Sequence, residues 1–406
     1  MDGSDDTASG ITAMRLVFVI PYFYPAWQYG GQPRSCYELA RILVRRGHHV
    51  KVLTTDSSGD TRLPARARPE NVDGIEVFYY RNISNSLAFR QRIFLPAGFV
   101  GDLHRQLENC DLLHIHELRS TLTVPAYRAA LRRKLPYVLS PHGGLPHLGK
   151  MFAKTAFDRF FGKAILRNAS ILAAVSPREE EEARAFGIDG SRIRLLPNTV
   201  FPEDYATLPP RGSFRSRWSI ESKNLILFVG RLHWIKGADL LVQAFAQLQK
   251  EDSDCHLAIA GPDDGQEQEL RAAVAAAGIG RHVTFTGFLN HQQKLEALVD
   301  SSVLVIPSRH EVFAIAALEG LMCDVPVLLS SSCGLAPMPG PEQGVHMFPS
   351  GDVGALALAF STIGAVKDRP RSGRNFVSRE FSPAAIGEKA EALYAAAIGE
   401  NGRRNA

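Results

Sequence analysis

Short apolar runs alternate with longer helical segments along almost the whole chain, and this alternation constrains the fold more than any other feature. The runs have the length and β-branched composition of buried strands. In the first half they are Leu16–Ile20, Val50–Leu53, Leu112–Ile115, Tyr137–Ser140 and Ile171–Val175. Helical patterns such as Pro33–Arg46 and Thr155–Asn168 separate them and supply the crossovers that parallel strands need. The pattern predicts an α/β fold with a parallel sheet covered by helices on both faces.

A turn-rich passage from Pro197 to Gly212 interrupts this rhythm, which then begins again. The strand-like runs that follow are Leu225–Val229, His256–Ala260, Val283–Phe285, Val303–Ile306 and Val325–Leu329. With 406 residues the chain is long enough for two domains of about 200 residues, each with its own core. We therefore predict two doubly wound, Rossmann-like domains that face a central cleft.

The same signals give the predicted domain boundaries. Residues 1–13 are small, acidic and without period, so we expect a disordered leader, with Met14 as an alternative start. We predict that residues 14–205 form the first Rossmann-like domain and that residues 206–382 form the second. Residues 383–406 form a C-terminal helix and tail that can cross back to the first domain.

The first predicted domain carries an excess of positive charge. Residues 14–205 contain 27 Lys and Arg against 18 Asp and Glu, whereas the chain from residue 206 onward contains 19 against 21. A basic domain can meet nucleic acid, an anionic membrane surface or a phosphorylated acceptor, and charge alone does not choose among them. The basic and aromatic segment Phe78–Arg105 is a candidate membrane contact, and a helix that packs on its own domain is the alternative. Its candidate residues are Phe89, Arg90, Arg92, Phe94 and Phe99.

No segment predicts insertion into a membrane or secretion. The apolar runs fall short of the roughly 18 to 20 residues that span a bilayer, and Leu16–Pro21 lacks a signal-peptide cleavage site. The five cysteines are scattered, with no pair at metal-ligand or redox spacing, as in a reducing compartment. We expect a cytoplasmic protein that can also lie peripherally on the inner face of the cell membrane.

Three loops of the second half follow predicted strands and carry polar residues. They are Gly230–Gly237, Gly261–Pro262 and Ser308–Glu311. Because the carboxyl ends of parallel strands open at one edge of a sheet, the side chains of these loops can converge. Arg231 supplies a planar fork and Lys236 a point charge, and such a pair can neutralise a diphosphate. The alternative is that both side chains only cover the surface.

Two glutamates, Glu311 and Glu319, lie where the third loop enters a helix, in IPSRHEVFAIAALEG. At such a junction free backbone N–H groups and the helix dipole favour a phosphorylated ligand. An isolated Glu there is usually a cap partner or a solvated side chain. The basic loop predicted beside this pair favours a binding role instead.

The first half has two further candidates at strand ends. Gly30 and Gly31 precede a helix, where a backbone without side chains can approach a phosphate or an acceptor. A plain tight turn is the alternative. His142 follows a strand in SPHGG, and although a lone His is more often structural, its place before two glycines favours a functional role.

The ordered motifs FVGRLHWIKG, LAIAGP, VTFTGFL, IPSRHEVFAIAALEG and FPSGD resemble the donor-binding domain of family 4 glycosyltransferases, the group 1 type with the GT-B architecture. The first half contributes YGG, LARILVRRGHHV, HIHE, SPHGG, AVSPREEEE and RIRLLPN. The resemblance covers Arg15 to about Phe381, and the ordered series is far more specific than any one motif. It implies a retaining transferase that moves a sugar from a nucleotide sugar to an acceptor hydroxyl, for example on a lipid-linked glycan or a polysaccharide precursor. The domain of residues 14–205 would bind the acceptor, and the domain of residues 206–382 would bind the nucleotide sugar. The nucleotide sugar is then a substrate, and no cofactor is implied.

The resemblance also implies roles for individual residues. Arg231 and Lys236 would hold the donor diphosphate. Glu311 would lie beside the transferred sugar, Glu319 would hold the ribose hydroxyls, and His142 would face the sugar across the cleft. The other implied donor contacts are Gly30, Gly31, Gly230, Phe313 and Ala314.

Two dipeptides depart from the family pattern. Phe313-Ala314 stands where Phe-Gly is usual, and Glu319-Gly320 stands where Glu-Ala is usual. If the usual glycine allows the donor to approach the backbone, the methyl group of Ala314 narrows that pocket. This departure bears on the identity of the donor sugar and on activity.

We expect no metal site. His114 and His116 form an H-x-H pair, but no third ligand lies at a telling spacing. Asp252–Asp254 imitates the D-x-D motif of other glycosyltransferases, yet it precedes a strand and so lies at the wrong edge of the sheet. The basic side chains and backbone amides would take the place of the cation.

Several functional alternatives remain open at this level. Attack on the donor from the face of the leaving diphosphate is the mechanism favoured for retention, while Glu311 as a nucleophile is the other option. The alternative functions are a nucleotide-sugar enzyme that does not transfer, such as a 2-epimerase, transfer to a small soluble acceptor, and a catalytically silent subunit that binds a sugar or partner. An NAD enzyme is disfavoured because PYFYPAWQYGG contains no G-x-G-x-x-G, and no nucleic-acid partner is expected.

Overall fold

The computed structural model describes residues 12–64, 69–146, 151–250, 254–335, 339–361 and 372–405. Residues 1–11 of the predicted leader and residues 252 and 253 of the D-x-D motif lie outside this part of the chain. Within it, no helix is long and apolar enough to cross a bilayer.

The first sheet contains eight strands within the described residues. They are β1 (Arg15–Val19), β2 (His49–Thr55), β5 (Glu70–Val72), β6 (Ile75–Tyr80), β7 (Leu112–His116), β8 (Tyr137–Ser140), β9 (Ile171–Ala174) and β10 (Ile193–Leu195). Their order across the sheet is β10-β9-β8-β7-β1-β2-β6-β5, and all neighbours are parallel except the β5–β6 hairpin. A separate hairpin pairs β3 (Ser57–Ser58) with β4 (Thr61–Arg62).

Helices connect the strands of this sheet. They are α1 (Gly31–Arg45), α2 (Asn85–Gln91), α3 (Phe99–Gln106), α4 (Thr123–Arg133), α5 (Met151–Phe157), α6 (Lys163–Asn168) and α7 (Pro177–Ala185), with a π-helical turn (Asp158–Gly162) between α5 and α6. Helix α7 has a well-capped start, because the Ser176 side chain accepts a hydrogen bond from the Glu179 backbone and Pro177 occupies the first turn.

The second sheet is entirely parallel. Its strands are β11 (Asn224–Val229), β12 (Cys255–Ala260), β13 (Val283–Gly287), β14 (Val303–Ile306), β15 (Val327–Ser330) and β16 (Val345–Phe348), in the order β13-β12-β11-β14-β15-β16. The accompanying helices are α8 (Ser213–Trp218), α9 (Ala238–Leu248), α10 (Glu267–Ala276), α11 (His291–Asp300), α12 (Ile315–Met322), α13 (Val353–Ser361), α14 (Gly373–Glu380) and α15 (Pro383–Asn405).

Each sheet has a point at which the strand order reverses. In the first sheet β1 lies between β7 and β2, and in the second β11 lies between β12 and β14. At such a point the connections leave on opposite faces of the sheet, so a crevice opens at the carboxyl ends of the two strands. The crevices therefore lie after β1 and β7 in one sheet and after β11 and β14 in the other.

The last helix, α15, returns to the first sheet. Leu393 and Tyr394 are buried in the same apolar cluster as Phe18 of β1. The Tyr394 hydroxyl lies 2.9 Å from Nδ1 of His114. Glu391, also buried, receives two 2.7 Å hydrogen bonds from the Arg46 guanidinium at the end of α1. Apolar packing and the hydrogen-bonded ion pair of Arg46 with Glu391 together hold α15 against the first domain.

The structure confirms the predicted α/β class and the two doubly wound sheets. Sequence patterns missed β3, β4, β5, β6, β10 and β16, which are short or lie towards the edges of the sheets. Two of the aromatic residues in the candidate membrane segment, Phe94 and Phe99, are each only 1% exposed and pack in the domain core, which fits the alternative of a segment that packs on its own domain. The predicted domain boundaries stay predictions.

Replacing Tyr394 tests the anchoring of α15. The Tyr394→Phe change removes only the hydroxyl contact with His114 and is expected to lower the free energy of unfolding by about 1 kcal/mol. Tyr394→Ala also leaves a cavity and is expected to cost about 3–5 kcal/mol. Urea denaturation measures both. Met347→Ala, at a position 56% exposed, is the control and should stay within about 0.5 kcal/mol of wild type. Equal effects of all three changes would contradict the described packing.

Candidate donor and acceptor site

Glu311 lies in the loop between β14 and α12, before the helix begins. Its backbone N–H donates to the Ser332 carbonyl at 3.2 Å, and its own carbonyl accepts from the Gly334 N–H at 2.6 Å. These bonds fix the backbone of a residue outside regular structure. Its carboxylate is thereby held at the carboxyl edge of the second sheet, at the point where the strand order reverses.

The Lys236 loop, which follows β11, is clamped to the Glu311 loop. The Arg309 guanidinium donates to both oxygens of Asp239, at 2.7 and 2.6 Å, and to the Trp234 carbonyl at 2.7 Å. This two-pronged contact holds the loops after β11 and β14 together. As a result the Lys236 ammonium donates to Oε2 of Glu311.

Arg231 comes from the loop after β11 and faces the first domain. Its guanidinium is ion-paired with Asp264 in the loop after β12. A Cβ placed on Gly30 would lie 3.2 Å from Arg231 Nε, and the φ of Gly30 is +97°. A side chain at Gly30 would therefore be strained and would crowd Arg231. The structure thus places the predicted glycine turn of one domain against the predicted phosphate-binding arginine of the other.

Glu319, on α12, is a buried carboxylate between two cations. Its side chain is 4% exposed, Oε1 accepts a hydrogen bond from Lys294 at 2.6 Å, and the same oxygen forms an ion pair with Nη1 of Arg34 at 3.0 Å. Arg34 lies on α1 and Lys294 on α11, so this cluster joins the two domains. Burial alone would raise the pKa of Glu319, but the charges of Lys294 and Arg34 outweigh it and hold the pKa below its usual value. The carboxylate stays ionised at neutral pH.

A cavity of about 590 Å³ lies between the domains and contains these groups. From the first domain it is lined by Gly30, Gly31 and Arg34, and from the second by residues that the sequence had singled out. These are Gly230, Arg231, Lys236, Glu311, Phe313, Ala314 and Glu319. The structure therefore brings together every predicted donor-site residue. Ala314 has a φ of −85°, which any residue adopts, so this backbone does not require the glycine that is usual there.

His142 lies across the cleft, in a left-handed conformation with φ of +49°. Its Nε2 is 2.9 Å from Nδ1 of His116. A Cβ on the next residue, Gly143, would collide with Val312, which follows Glu311, so the two loops are in close contact. Burial lowers the pKa of His142 to about 4. The imidazole is therefore neutral at neutral pH.

The buried Glu179 positions the His142 loop. Its carboxylate accepts from the backbone N–H of Gly143 at 2.6 Å and from that of Val175 at 2.9 Å. Burial raises its pKa to about 7, against the effect of these two hydrogen bonds. Sequence reasoning overlooked Glu179 because it stands in a run of four glutamates, although that run follows a strand end.

A second cavity of about 430 Å³ continues from the donor site towards the carboxyl end of β7. Glu117, His142, Arg231 and Glu311 are among the residues that line it. Burial raises the pKa of Glu117 to about 7, although the charge of Arg92 and the hydrogen bonds of Gln32 and Tyr22 act in the opposite direction. Glu117 is part of the HIHE motif at a strand end, but the sequence analysis assigned it no role.

The described residues of the two candidate metal motifs have other partners. His114 bonds to Tyr394 and to the Ser140 hydroxyl at 2.8 Å, and His116 bonds to His142. Asp254 accepts from the Lys223 backbone at 2.7 Å just before β12, as a surface turn would. Across the described residues no group of three or more His, Cys, Asp or Glu side chains is placed to hold a metal ion.

Comparison with known families gives the geometry a context. The family model for glycosyl transferases group 1 matches residues 211–370, and that for the glycosyl transferase 4-like domain matches residues 30–199. The chain belongs to the group 1 glycosyltransferases. The two matches contain the facing crevices of the two sheets, so the predicted family is confirmed.

Individual relatives resemble this glycosyltransferase along most of its length. An uncharacterized glycosyltransferase of Methanocaldococcus jannaschii is 26% identical over 82% of the chain and 85% of its own length. The 2-deoxystreptamine N-acetyl-D-glucosaminyltransferase of Streptomyces fradiae is 29% identical over 85% of the chain and 87% of its own length. The crystal structure of HepE from Anabaena with UDP and glucose superposes with a TM-score of 0.74 at 18% sequence identity. The superposition covers 94% of this chain and 100% of the HepE chain. This last likeness confirms the GT-B fold.

The depressed pKa of His142 predicts a pH effect on stability. Its pKa is about 4 in the folded chain and about 6.5 when unfolded, so its contribution to stability is present above pH 6.5 and is lost as the pH falls towards 4. His142→Asn, which tolerates the left-handed backbone, should remove part of this dependence. Urea denaturation at pH 7.5, 5.5 and 4.5 measures it.

The control for this experiment is His49→Asn, an exposed histidine at the start of β2. Its unfolding free energy should follow that of wild type at each pH. If the unfolding free energy of the His142→Asn protein fell by the same amount as that of wild type between pH 7.5 and 4.5, the described burial of the imidazole would be contradicted.

Proposed function

We propose that this glycosyltransferase moves a sugar from a nucleotide-sugar donor to an acceptor hydroxyl, without a metal ion and with retention of anomeric configuration. The observation that carries the proposal is the interdomain cavity, in which Arg231, Lys236 and Glu319 of one domain face Gly30 of the other. The two basic side chains can bind the charged oxygens of a diphosphate that lies against the Gly30 backbone, and the buried Glu319 carboxylate can accept hydrogen bonds from the two hydroxyls of a ribose. HepE, which shares the fold, binds UDP and glucose.

Ion pairs keep the basic groups satisfied when no donor is bound. Arg231 pairs with Asp264, and Lys236 pairs with Glu311. A donor diphosphate between the two domains would replace these carboxylates as the partner of both cations. The guanidinium and ammonium groups would then offset the charge that develops on the leaving nucleotide. They would supply the charge that a metal ion provides in other transferases.

Glu319 is suited to the ribose. Both of its cationic contacts, with Lys294 and Arg34, are made to Oε1. Oε2 can then accept from ribose hydroxyls, while the paired charges keep the carboxylate ionised. Because Arg34 belongs to the first domain, a bound nucleoside would also lie against the contact that joins the domains.

In the proposed reaction the bond between the sugar C1 and the leaving phosphate oxygen breaks. The acceptor oxygen forms a new bond to C1 on the same face, and its proton passes to the departing phosphate. Glu311 and His142 would position the sugar from opposite sides. The pairing of Glu311 Oε2 with Lys236 supports this assignment over a nucleophilic one, because an ion-paired carboxylate is a weaker nucleophile.

The proposed acceptor is a lipid-linked glycan or a polysaccharide precursor, bound mainly by the basic first domain at the cytoplasmic face of a membrane. A small soluble acceptor is the second candidate. The Streptomyces fradiae relative, named for transfer to 2-deoxystreptamine, favours it. The two candidates differ in whether an apolar surface of the first domain is needed.

Lys236→Ala tests the diphosphate role. Loss of one charge that acts on the leaving group is expected to lower kcat/KM by about 100- to 1,000-fold. The measurement is steady-state transfer from the best nucleotide sugar in a panel of UDP, GDP and ADP sugars. Lys250→Ala, an exposed lysine after α9, is the matched control and should retain wild-type activity. A twofold effect or less for Lys236→Ala would remove this role.

A single assay tests the metal-free and retaining features. With an α-configured donor and excess EDTA, we expect undiminished turnover and an α-linked product, because Arg231 and Lys236 replace a cation. NMR of the product gives the anomeric configuration, and addition of Mg²⁺ or Mn²⁺ to a parallel sample is the control. A β-linked product would refute retention, and a turnover that needed the added ion would refute metal independence.

A further inference from the structure

The first domain contains a large cavity beside the proposed catalytic cleft. Its volume is about 1,350 Å³, larger than the roughly 300–1,000 Å³ of ordinary small-molecule sites. It is bounded by α3, α4 and α5 with the π-helical turn, and by the Trp234 loop of the second domain. Arg92, Glu117 and His233 line both this cavity and the one that contains His142 and Glu311. The two cavities therefore meet at these side chains.

The walls between α3, α4 and the π-helical turn are largely apolar. Leu103, Val124, Phe157 and Phe161 are among the residues that line them. Such a surface does not suit a free sugar, whose hydroxyl groups would lose hydrogen bonds with water. It suits a hydrocarbon chain.

The outer side of the same segment also exposes apolar side chains. Phe152, on α5, is 93% exposed, and Phe160, eight residues later in the π-helical turn, is 70% exposed. Large exposed aromatic side chains of this kind are typical of surfaces that contact lipid or another protein. The segment thus presents apolar groups both to the cavity and to the surroundings.

The charged residues of the cavity are nearly all basic. Among the described residues that line it, Glu117 is the one acid, whereas six are Arg or Lys. Arg119 is committed to Asp158 by an ion pair. Arg128 and Arg132 have no carboxylate partner in the described part of the chain, and they lie one turn apart on α4. The cavity therefore has an excess of positive charge that an anionic ligand would neutralise.

Two buried polar atoms at the junction with the cleft are left without partners. Among the described residues, neither Nη1 of Arg92 nor Oε2 of Glu117 has a hydrogen-bond partner. The Arg92 guanidinium is held by the Tyr29 ring, whose centroid is 4.9 Å away. Buried polar atoms are rarely left unpaired, so the free Nη1 donor of Arg92 indicates a ligand that accepts a hydrogen bond there. The Glu117 carboxyl as a whole also has Gln32 and Tyr22 as side-chain hydrogen-bonding neighbours.

We propose that this cavity binds the acceptor as a phosphorylated lipid, with its phosphate on Arg92, its reacting hydroxyl near Glu117 and its hydrocarbon chain between α3, α4 and the π-helical turn. A phosphate ester carries up to two negative charges, which matches several unpaired guanidinium groups better than a single carboxylate does. This inference rests on the proposed transferase function and specifies the class of acceptor.

The direction of the chain follows from α4. This helix begins at the cleft edge, after β7, and runs away from it, so Arg132 lies about 12 Å farther from the cleft than Val124. A lipid with its phosphate at Arg92 would pass Val124 first and would leave the cavity near Arg132. That remote basic group can meet the anionic surface from which the lipid comes.

Dodecyl phosphate is the probe, titrated below its micellar concentration into the full chain by isothermal calorimetry. We expect it to bind at least about tenfold more tightly than inorganic phosphate or dodecyl maltoside, because only the probe offers both charge and chain. Two variants act by different means. Arg92→Ala removes the phosphate contact, and Ala129→Trp fills the space beside α4. Each should weaken probe binding about tenfold or more.

Arg281→Ala, an exposed arginine of the second domain, is the matched control and should bind the probe as wild type does. Binding of the best nucleotide sugar from a panel of UDP, GDP and ADP sugars is measured on the same samples. Wild-type donor affinity shows that a variant is folded, and if one variant fails this criterion the other decides.

Three outcomes overturn the inference. They are no preference for the probe over phosphate, equal binding of dodecyl maltoside, and probe affinity unchanged in the folded variants. If the donor binds while the probe does not, the lipid acceptor is wrong and the proposed transferase function stands. If neither binds, the proposed function fails as well.

Discussion

In both sheets the carboxyl ends of the strands open toward one cleft, and the rest of the site depends on this orientation. A parallel sheet leaves the loops that follow its strands at one edge, and a reversal of strand order opens a crevice there. The loops after β1 and β7 thus face those after β11 and β14. Residues some 80 positions apart, such as Arg231 and Glu311, line one interdomain space for this reason.

The charged side chains of the proposed donor site form ion pairs with one another. Lys236 pairs with Glu311, Arg231 with Asp264, and Glu319 with Lys294 and Arg34. Glu319 is the buried member of this set, and removing one partner of a buried pair costs about 3–5 kcal/mol, so its carboxylate needs the counter-charges of Lys294 and Arg34. The pairs of Arg231 and Lys236 are partly exposed to solvent. The pairs let a folded protein hold cations where a diphosphate is proposed to bind. They also make contact between the domains part of the site, through Arg34.

On the first-domain side of the cleft, some buried polar atoms lack hydrogen-bond partners among the described residues. The neutral His142 contacts His116, and Glu179 holds the backbone of the next residue, Gly143. By contrast, Arg92 and Glu117 each retain a buried atom without a partner among the described residues. These atoms lie where the cleft meets an apolar cavity with basic residues. The balanced charges lie on the proposed donor side and the unbalanced ones on the proposed acceptor side. This contrast is the reason to look for the acceptor in that cavity.

The sequence by itself determined the fold class, the family and the proposed donor residues, because strand periodicity and the motifs at strand ends are local properties of the chain. It could not place Arg34 and Lys294 at Glu319, since no spacing links α1 or α11 to α12. Nor could the sequence show that Phe94 and Phe99 are buried, because a segment rich in basic and aromatic residues has the same sequence pattern whether it lies exposed on the surface or packs over the core. Only the tertiary structure decided these contacts and created the cavity, since both arise from elements distant in sequence that pack together.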